Sequence, residues 1–298
     1  MPSASTPLLR GLTMAALVAF VLPAPVNGAA GKIDVLAAEN FYGDIAQQIG
    51  GARVAVTSIL SNPDQDPHLF EISPTIVRKI AAAEIVVYSG ADYDSWMDKL
   101  LKGTDRPGRI AIVAADLVNK KSGDNPHVWY DPATIPAVAG ALSAALGTVD
   151  PSHRAEYAAR LKIFLASLDP LNEKIAAIRS KFAGTPVAAT EPVFGYMAAA
   201  LDLAMHDQRF QLAIMNNTEP SARDLAAFEN ELRTRSVRLL FYNKQAASKV
   251  VDNIVELARA SHVPVVGVTE TEPPGVSYQD WILRELQATE HALAGPSP

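Results

Sequence analysis

Cysteine is absent from the chain, although it has 298 residues. Without cysteine there is neither a disulfide framework nor the lipid-modified cysteine that anchors many exported bacterial proteins. Thiolate ligands are missing as well. A metal site in this chain must therefore be built from nitrogen and oxygen donors.

An excess of positive charge is also missing. Lysine and arginine together number 26 against 32 aspartates and glutamates, which gives a formal net charge of −6. Nucleic acids bind to surfaces with a basic excess, because the phosphate backbone must be neutralised. We therefore expect no nucleic-acid partner.

A long hydrophobic run is lacking too, apart from a short apolar stretch near the N-terminus. In MPSASTPLLRGLTMAALVAFVLPAPVNGAA, residues 1–30, a single positive charge at Arg10 precedes an apolar core and then small residues. The core is too short to span a bilayer, and the layout is that of a secretory signal peptide. We expect cleavage near Ala29 or Ala30 and a soluble periplasmic protein of a double-membraned bacterium, without a lipid anchor.

Aliphatic residues are plentiful and follow a repeating pattern. Short aliphatic runs alternate with helix-length amphipathic segments in KIDVLAAE, FYGDIAQQIGG, ARVAVTSIL, SPTIVRKIAAA, EIVVYSG, DYDSWMDKLLKG and RIAIVAAD. The pattern restarts at Pro186 with PVAATE, VFGYMAAALDL, RFQLAI, SARDLAAFENELRTRS, VRLLFYN, QAASKVVDNIVELARASH and VPVVGVTE. Strands that alternate with helices form parallel sheets. We predict an α/β protein of two lobes, each a parallel sheet flanked by helices.

The segment between these halves, residues 150–184, has apolar residues at nearly every third or fourth position. This spacing predicts one long connecting helix. Pro170 would cost ~3 kcal/mol in a helix interior, so we expect a kink or break there. The predicted domains are a signal peptide (1–30), an N-terminal lobe (31–150), the connecting helix (151–184) and a C-terminal lobe (185–298).

Four potential metal ligands follow predicted strands. His68 lies in LSNPDQDPHLFEISP after ARVAVTSIL, and His127 lies in NPHVWYD after RIAIVAAD. Glu191 ends PVAATE, and Glu270 ends VPVVGVTE. Ligands of open parallel sheets bind beyond the carboxyl ends of the strands. Because two candidates fall in each half, we expect a cleft between the lobes to gather all four.

Two imidazoles and two carboxylates suit a divalent transition metal such as manganese, zinc or iron. Glu272 is a rival of Glu270, which we prefer because it ends the predicted strand. Outside this set, His206 is a weaker candidate for a place near the cleft. The remaining histidines are expected to lie in solvent; they are His153, His262 and His291.

Several of these stretches resemble signatures of the zinc and manganese substrate-binding proteins of ABC importers. DPHLFEISPTIVRKIAAAEIVVYSGADYDSWMDKLL is similar to the first signature, and NPHVWYDP to the second. TEPVFGYMAAALDL resembles the third signature, and VGVTETEPPGVSYQDWI the last. The resemblance runs in consistent order from about Lys32 to the C-terminus.

The resemblance implies two α/β lobes joined by a long helix, with a metal ion held between them and delivered to an ABC importer permease in the inner membrane. It assigns His68 and His127 to the histidine positions of the first lobe. Glu191 stands where manganese-type members have glutamate and zinc-type members commonly have histidine, and Glu270 replaces the usual aspartate. The loop before His127 lacks the histidine-rich insertion of many zinc-importer proteins. We expect a monomer that carries manganese or zinc.

Three classes of function remain open from the sequence. The leading interpretation is metal capture for an importer. The enzyme alternative is a zinc hydrolase, with His68, His127 and Glu191 as metal ligands and Glu270 as general base. Four protein ligands would close the water position that such a hydrolase needs. The third class is a surface interaction protein, since some relatives have been called adhesins. The sequence shows no sign of an exposed adhesive patch.

Overall fold

A computed structural model describes residues 1–3, 31–62, 70, 72–246 and 248–295. The chain divides into two compact units, Met1–Gly31 and Lys32–Pro298. The predicted signal peptide, beyond its first three residues, and the predicted ligand His68 lie outside the described residues. In the part of the chain that is described, no helix is long and apolar enough to pass through a membrane.

The first sheet has four parallel strands. These are β1 (Ile33–Glu39), β2 (Val54–Leu60), β3 (Ile85–Tyr88) and β4 (Ile110–Val113), in the order β2-β1-β3-β4. Its helices are α1 (Asn40–Gly50), α2 (Pro74–Ala82), α3 (Ser95–Gly103), α4 (Ala114–Leu117) and α5 (Thr134–Val149). The central strand β3 is buried along its whole length. Such continuous apolar strands are typical of parallel sheets that have helices on both faces.

Two consecutive helices, α6 (Arg154–Ser167) and α7 (Asp169–Phe182), connect the two sheets. They are separated at Leu168, and Pro170 lies in the first turn of α7. Proline is tolerated there because the first amide groups of a helix have no intrahelical acceptor. The predicted connecting helix is thus present, with the predicted break two residues before Pro170.

The second sheet has four parallel strands as well. These are β5 (Pro186–Ala189), β6 (Ala204–Met205), β7 (Leu240–Asn243) and β8 (Val265–Val268), in the order β6-β5-β7-β8. Its helices are α8 (Gly195–Ala200), α9 (Gln208–Met215), α10 (Ala222–Thr234), α11 (Lys249–Ala260) and α12 (Tyr278–Ala294).

The two sheets share one topology, since the first strand of each half lies second in its sheet and the second strand forms the edge. The strand order therefore reverses between β1 and β3 and again between β5 and β7. The carboxyl ends of strands at such a reversal are the usual ligand sites of open parallel sheets. This arrangement confirms the predicted α/β fold with two parallel sheets, and the residue boundaries of the lobes stay a prediction.

Two details of the predicted pattern were wrong. The run RFQLAI is helical and belongs to α9, because Phe210 and Ile214, one helical turn apart, pack into the same apolar cluster. The strand of this region is the short β6. The run RIAIVAAD leaves the sheet at Val113, and α4 follows. His127 therefore does not come directly after a strand.

Candidate metal site

His127 is fully buried just before a short 3₁₀ helix, Val128–Tyr130. Its Nδ1 lies 2.8 Å from Oδ1 of Asn125, and its backbone N–H donates to the same oxygen at 3.1 Å. The Asn125 side chain is oriented by its amide nitrogen, which donates to the carbonyl oxygen of Pro192 at 2.7 Å. Because Oδ1 can only accept, Nδ1 of His127 carries the proton. The lone pair of the neutral ring then lies on Nε2.

Glu191 comes from the C-terminal lobe, two residues after β5. Its side chain is almost fully buried, and its Oε2 accepts a hydrogen bond from Nδ2 of Asn243 at 2.5 Å. Asn243 is the last residue of β7, the strand beside β5. The register of the two strands therefore places a side-chain amide next to this carboxylate.

Glu270 is fully buried, two residues after β8. Its Oε1 accepts from the same Nδ2 of Asn243 at 2.5 Å, and its Oε2 accepts from the hydroxyl of Tyr93 at 2.9 Å. Oε2 also lies 3.4 Å from Nε2 of His127. Glu270 therefore contacts both lobes, and the lone-pair nitrogen of His127 faces one of its oxygens.

Three of the four predicted ligands thus lie close together. His127 contacts Glu270, and Asn243 bonds to both Glu191 and Glu270. Among the described residues, no group of three His, Asp or Glu side chains is arranged to hold a metal ion by itself. The predicted set would be completed by His68, which lies outside those residues. The set of four remains our prediction, and the buried mixture of imidazole and carboxylate donors fits a divalent transition metal.

Glu272, the rival of Glu270, is positioned elsewhere. Its backbone N–H donates to Oδ1 of Asn40 at 3.0 Å, and its carbonyl oxygen accepts from Nδ2 of Asn40 at 2.7 Å. Burial, together with the nearby charge of Asp44, raises the pKa of Glu272 to about 9. The geometry favours Glu270 because it alone of the two contacts His127.

Two of the other histidines pair with acidic residues outside the site. His153 pairs with Asp150 at 2.6 Å, and His206 pairs with Glu231 at 3.0 Å. His262 and His291 are exposed.

A buried acidic pair adjoins the site in the N-terminal lobe. Oδ1 and Oδ2 of Asp94 accept from the backbone N–H groups of Gly90 and Ser89, and burial still raises the pKa of Asp94 to about 6. Burial and the charge of Asp94 raise the pKa of Glu39 well above its usual range. Burial, followed by the charges of Glu270 and Glu39, raises the pKa of Tyr93 as well. Tyr93 therefore stays protonated and acts as a donor to Glu270.

A cavity of about 280 Å³ reaches Glu191 from the surface of the C-terminal lobe. Asn217, Thr218 and Glu219 line it together with Lys249 at the start of α11. Oxygen-bearing side chains thus border the approach to this carboxylate. Glu219 itself is exposed before α10.

The sequence reasoning missed several residues around the candidate ligands. Glu39 ends β1 just as Glu191 and Glu270 follow their strands, so the rule that found the two glutamates could also have found it. Asn243 ends β7 in the same way. Asn125 stands two residues before His127 in NPH, and no periodic signal distinguishes it from an ordinary loop asparagine.

Three proteins similar to this chain, two in structure and one in sequence, have names that refer to metal binding. The periplasmic zinc-binding protein TroA from Treponema pallidum superimposes with a TM-score of 0.75 at 19% identity, over 88% of this chain and 99% of that chain. The manganese-bound periplasmic metal-binding protein from Candidatus Liberibacter asiaticus gives 0.73 at 18% identity, over 88% and 100%. In sequence, the manganese-binding lipoprotein MntA of Bacillus subtilis is 25% identical over 277 residues, which cover 87% of this chain and 88% of MntA.

Two similar lobes with polar side chains at the carboxyl ends of both sheets are typical of a ligand-binding protein. The chain belongs to the family described as zinc-uptake complex component A, periplasmic, whose model matches residues 35–292. This membership confirms the predicted role in metal uptake and the prediction that the chain is a transport component rather than an enzyme.

Proposed function

We propose that this protein captures manganese or zinc in the periplasm, holds the ion with His68, His127, Glu191 and Glu270, and delivers it to the permease of an ABC importer in the inner membrane. The observation that carries the proposal is the approach of Nε2 of His127 to Oε2 of Glu270 at 3.4 Å, with Glu191 held beside Glu270 by Asn243. The proximity of these side chains from both halves of the chain supports the proposal.

The protonation pattern supports this role. Metal-bound histidine must present a neutral nitrogen, and an outer hydrogen bond usually fixes which nitrogen it is. Asn125 fixes Nε2 of His127 as the lone-pair nitrogen, facing Glu270. Metal binding to this set competes with protons, because imidazole and carboxylates must be unprotonated to bind.

The donor set leaves the choice between manganese and zinc open. Carboxylate oxygens suit the harder manganese or iron ions, whereas zinc binds more tightly than manganese to most nitrogen and oxygen sites. The names of the relatives include both zinc and manganese binding. We propose that both ions bind and that selection depends on coordination number.

The hydrolase alternative would need a metal with a position open to water. A set of four protein ligands would fill that position. No metal-dependent hydrolysis of esters or peptides is expected. Turnover that requires metal and is lost in Glu270→Gln would contradict the transport proposal.

The proposal also covers the state of the mature protein. We propose a monomer that is released from its signal peptide and is not lipid-anchored, because the chain has no cysteine to carry a lipid. Mass spectrometry of the exported protein would reveal both the cleavage site and any attached lipid.

The direct test is to purify the protein without chelator and to measure bound metals by elemental mass spectrometry, followed by competition between manganese and zinc. One metal ion per chain is expected, and it should be lost when His68 or Glu270 is replaced by alanine. A chain that is folded but binds neither ion at micromolar concentration would overturn the proposal.

A further inference from the structure

Asn243 occupies the centre of the second sheet at its carboxyl edge. It ends β7, which lies between β5 and β8, and the chain reaches Glu191 and Glu270 two residues after those neighbouring strands. Its side chain is only 2% exposed. The tertiary structure therefore inserts one amide between two buried carboxylates.

The orientation of this amide is determined by its partners. Oδ1 of Asn243 accepts from the backbone N–H of Gln245 at 3.0 Å, so the nitrogen must face the glutamates. Nδ2 then donates to Oε2 of Glu191 and to Oε1 of Glu270, both at 2.5 Å. The two hydrogens of one amide nitrogen hold one oxygen of each carboxylate.

The side chain of Gln245 holds the backbone at Glu270 and Thr271. Its Oε1 accepts from the N–H groups of Glu270 and Thr271 at 2.6 and 3.2 Å. Its Nε2 donates to the hydroxyl of Thr271 at 3.0 Å. The last residue of β7 thus holds the side chain of Glu270, and the segment after β7 holds its backbone.

The two oxygens of Glu270 consequently have different surroundings. Oε1 is bound by Asn243, whereas Oε2 lies toward His127 and Tyr93. A metal ion bound to both Nε2 of His127 and Glu270 would therefore bind Glu270 through Oε2. For the ion to be bound by both oxygens, Oε1 would have to share its lone pairs between the ion and the amide hydrogen of Asn243, which weakens the second metal bond.

Coordination number separates the two candidate ions. Zinc is usually held by four ligands in a tetrahedron, whereas manganese prefers six, mainly oxygen. With one oxygen from each glutamate and one nitrogen from each histidine, the predicted set supplies four donors. A carboxylate that binds through both oxygens supplies manganese with one further protein donor.

We propose that Asn243 is a specificity-determining residue that restricts Glu191 and Glu270 to one metal bond each and thereby disfavours manganese relative to zinc. This inference rests on the proposed metal-binding function. Asn243 acts through the two carboxylates rather than as a ligand itself.

The test compares the parent with Asn243→Ala, measuring dissociation constants for manganese and zinc in metal-buffered solution. Removal of the amide frees one oxygen on each carboxylate, so the ratio of manganese to zinc affinity is expected to rise at least tenfold. Asn230→Ala, an exposed position on α10, is the matched control and should leave the ratio unchanged. Equal weakening of both metals, or no change, would overturn the inference.

A second measurement does not depend on affinity. X-ray absorption at the manganese edge counts the nitrogen and oxygen neighbours of the bound ion, and their number should rise from the parent to Asn243→Ala. An unchanged number would also overturn the inference. If the alanine variant does not fold, Asn243→Ser, whose single hydroxyl hydrogen can hold only one of the carboxylates, takes its place in both measurements. A parent protein that binds no metal would instead refute the proposed function.

Discussion

The imidazole of His127 has a neighbour at each of its two ring nitrogens. It is buried, its Nδ1 is held by Asn125, and its Nε2 faces Glu270. Replacement by alanine removes one of four donors, and we expect His127→Ala to lower the affinity for zinc and manganese by orders of magnitude. Calorimetry in metal-buffered solution measures the change.

The matched control for this variant is His153→Ala. His153 pairs with Asp150 at the start of α6 and is not among the proposed ligands. Its replacement should leave the affinity within a factor of about two of the parent value, since surface changes seldom perturb a remote site. An affinity of His127→Ala equal to that of His153→Ala would remove His127 from the site.

Asn125 is expected to act through His127. Without its oxygen, the ring can exchange the proton between its nitrogens and rotate, and loss of such an outer hydrogen bond typically costs about 10- to 100-fold in metal affinity. We expect Asn125→Ala to weaken both metals by this amount and to change the ¹⁵N shifts of the His127 ring in the metal-free protein. Asn253→Ala, at an exposed position on α11, is the control. Unchanged ring shifts would contradict the assigned role.

At the scale of elements, α12 is joined to the rest of the protein by the buried carboxyl group of Glu285. Tyr130 donates to its Oε2 at 2.7 Å, and Nε1 of Trp281 and the N–H of Thr269 donate to its Oε1 at 3.0 and 3.2 Å. Burial raises the pKa of Glu285 from 4.5 to about 7 despite these donors. The folded chain therefore holds this proton to a higher pH than the unfolded chain does.

A stability prediction follows from this raised pKa. Between pH 4.5 and about 7 the folded state binds more protons, so rising pH lowers the free energy of unfolding, by about 3 kcal/mol in total. We expect Glu285→Gln to make the slope shallower by this contribution, because glutamine stays neutral and can accept from Trp281 and Thr269 while donating to Tyr130. Urea unfolding of the metal-free protein at pH 5 and pH 8 measures the slope. Equal slopes in parent and variant would contradict the prediction.

The first helix also links the two lobes. Asn40, Asp44 and Gln48 lie one turn apart along α1. Asn40 bonds to the segment between β8 and α12, whereas Asp44 and Gln48 bond to the first turn of α12. Asn40 makes two hydrogen bonds to the backbone of Glu272. We expect Asn40→Ala to lower the free energy of unfolding by about 2 kcal/mol, at about 1 kcal/mol per bond. Denaturant unfolding, with exposed Asn172→Ala on α7 as control, measures the loss; a loss no larger than the control's would argue against this link.

At the scale of the whole molecule, a metal ion that bridges the two lobes should stabilise the folded chain. Ligand at a thousand times its dissociation constant adds about 4 kcal/mol. We expect zinc or manganese to raise the melting temperature and a chelator to reverse the shift. The gain should shrink as pH falls from 7.5 to 5, because protons compete for the histidine and carboxylate ligands. Calorimetric melting at both pH values measures it, and a gain independent of pH would speak against these ligands.

Much of the architecture was readable from the amino-acid order. The alternation of aliphatic runs with amphipathic segments predicted both sheets, and Pro170 predicted the break between α6 and α7. The predictions failed in short segments such as RFQLAI, where an apolar run suits a strand or a helix equally and tertiary packing decides between them.

The candidate site, too, could be predicted from the sequence only in part. The positions of Glu191 and Glu270 follow from local pattern, since each comes just after an aliphatic run that was predicted as a strand and forms one. The roles of Asn243 and Asn125 do not, because they depend on which strands are neighbours and on loops from different lobes that meet in space. A sequence specifies its hydrophobic period locally, whereas a hydrogen bond between residues far apart in the chain exists only after the sheets have packed.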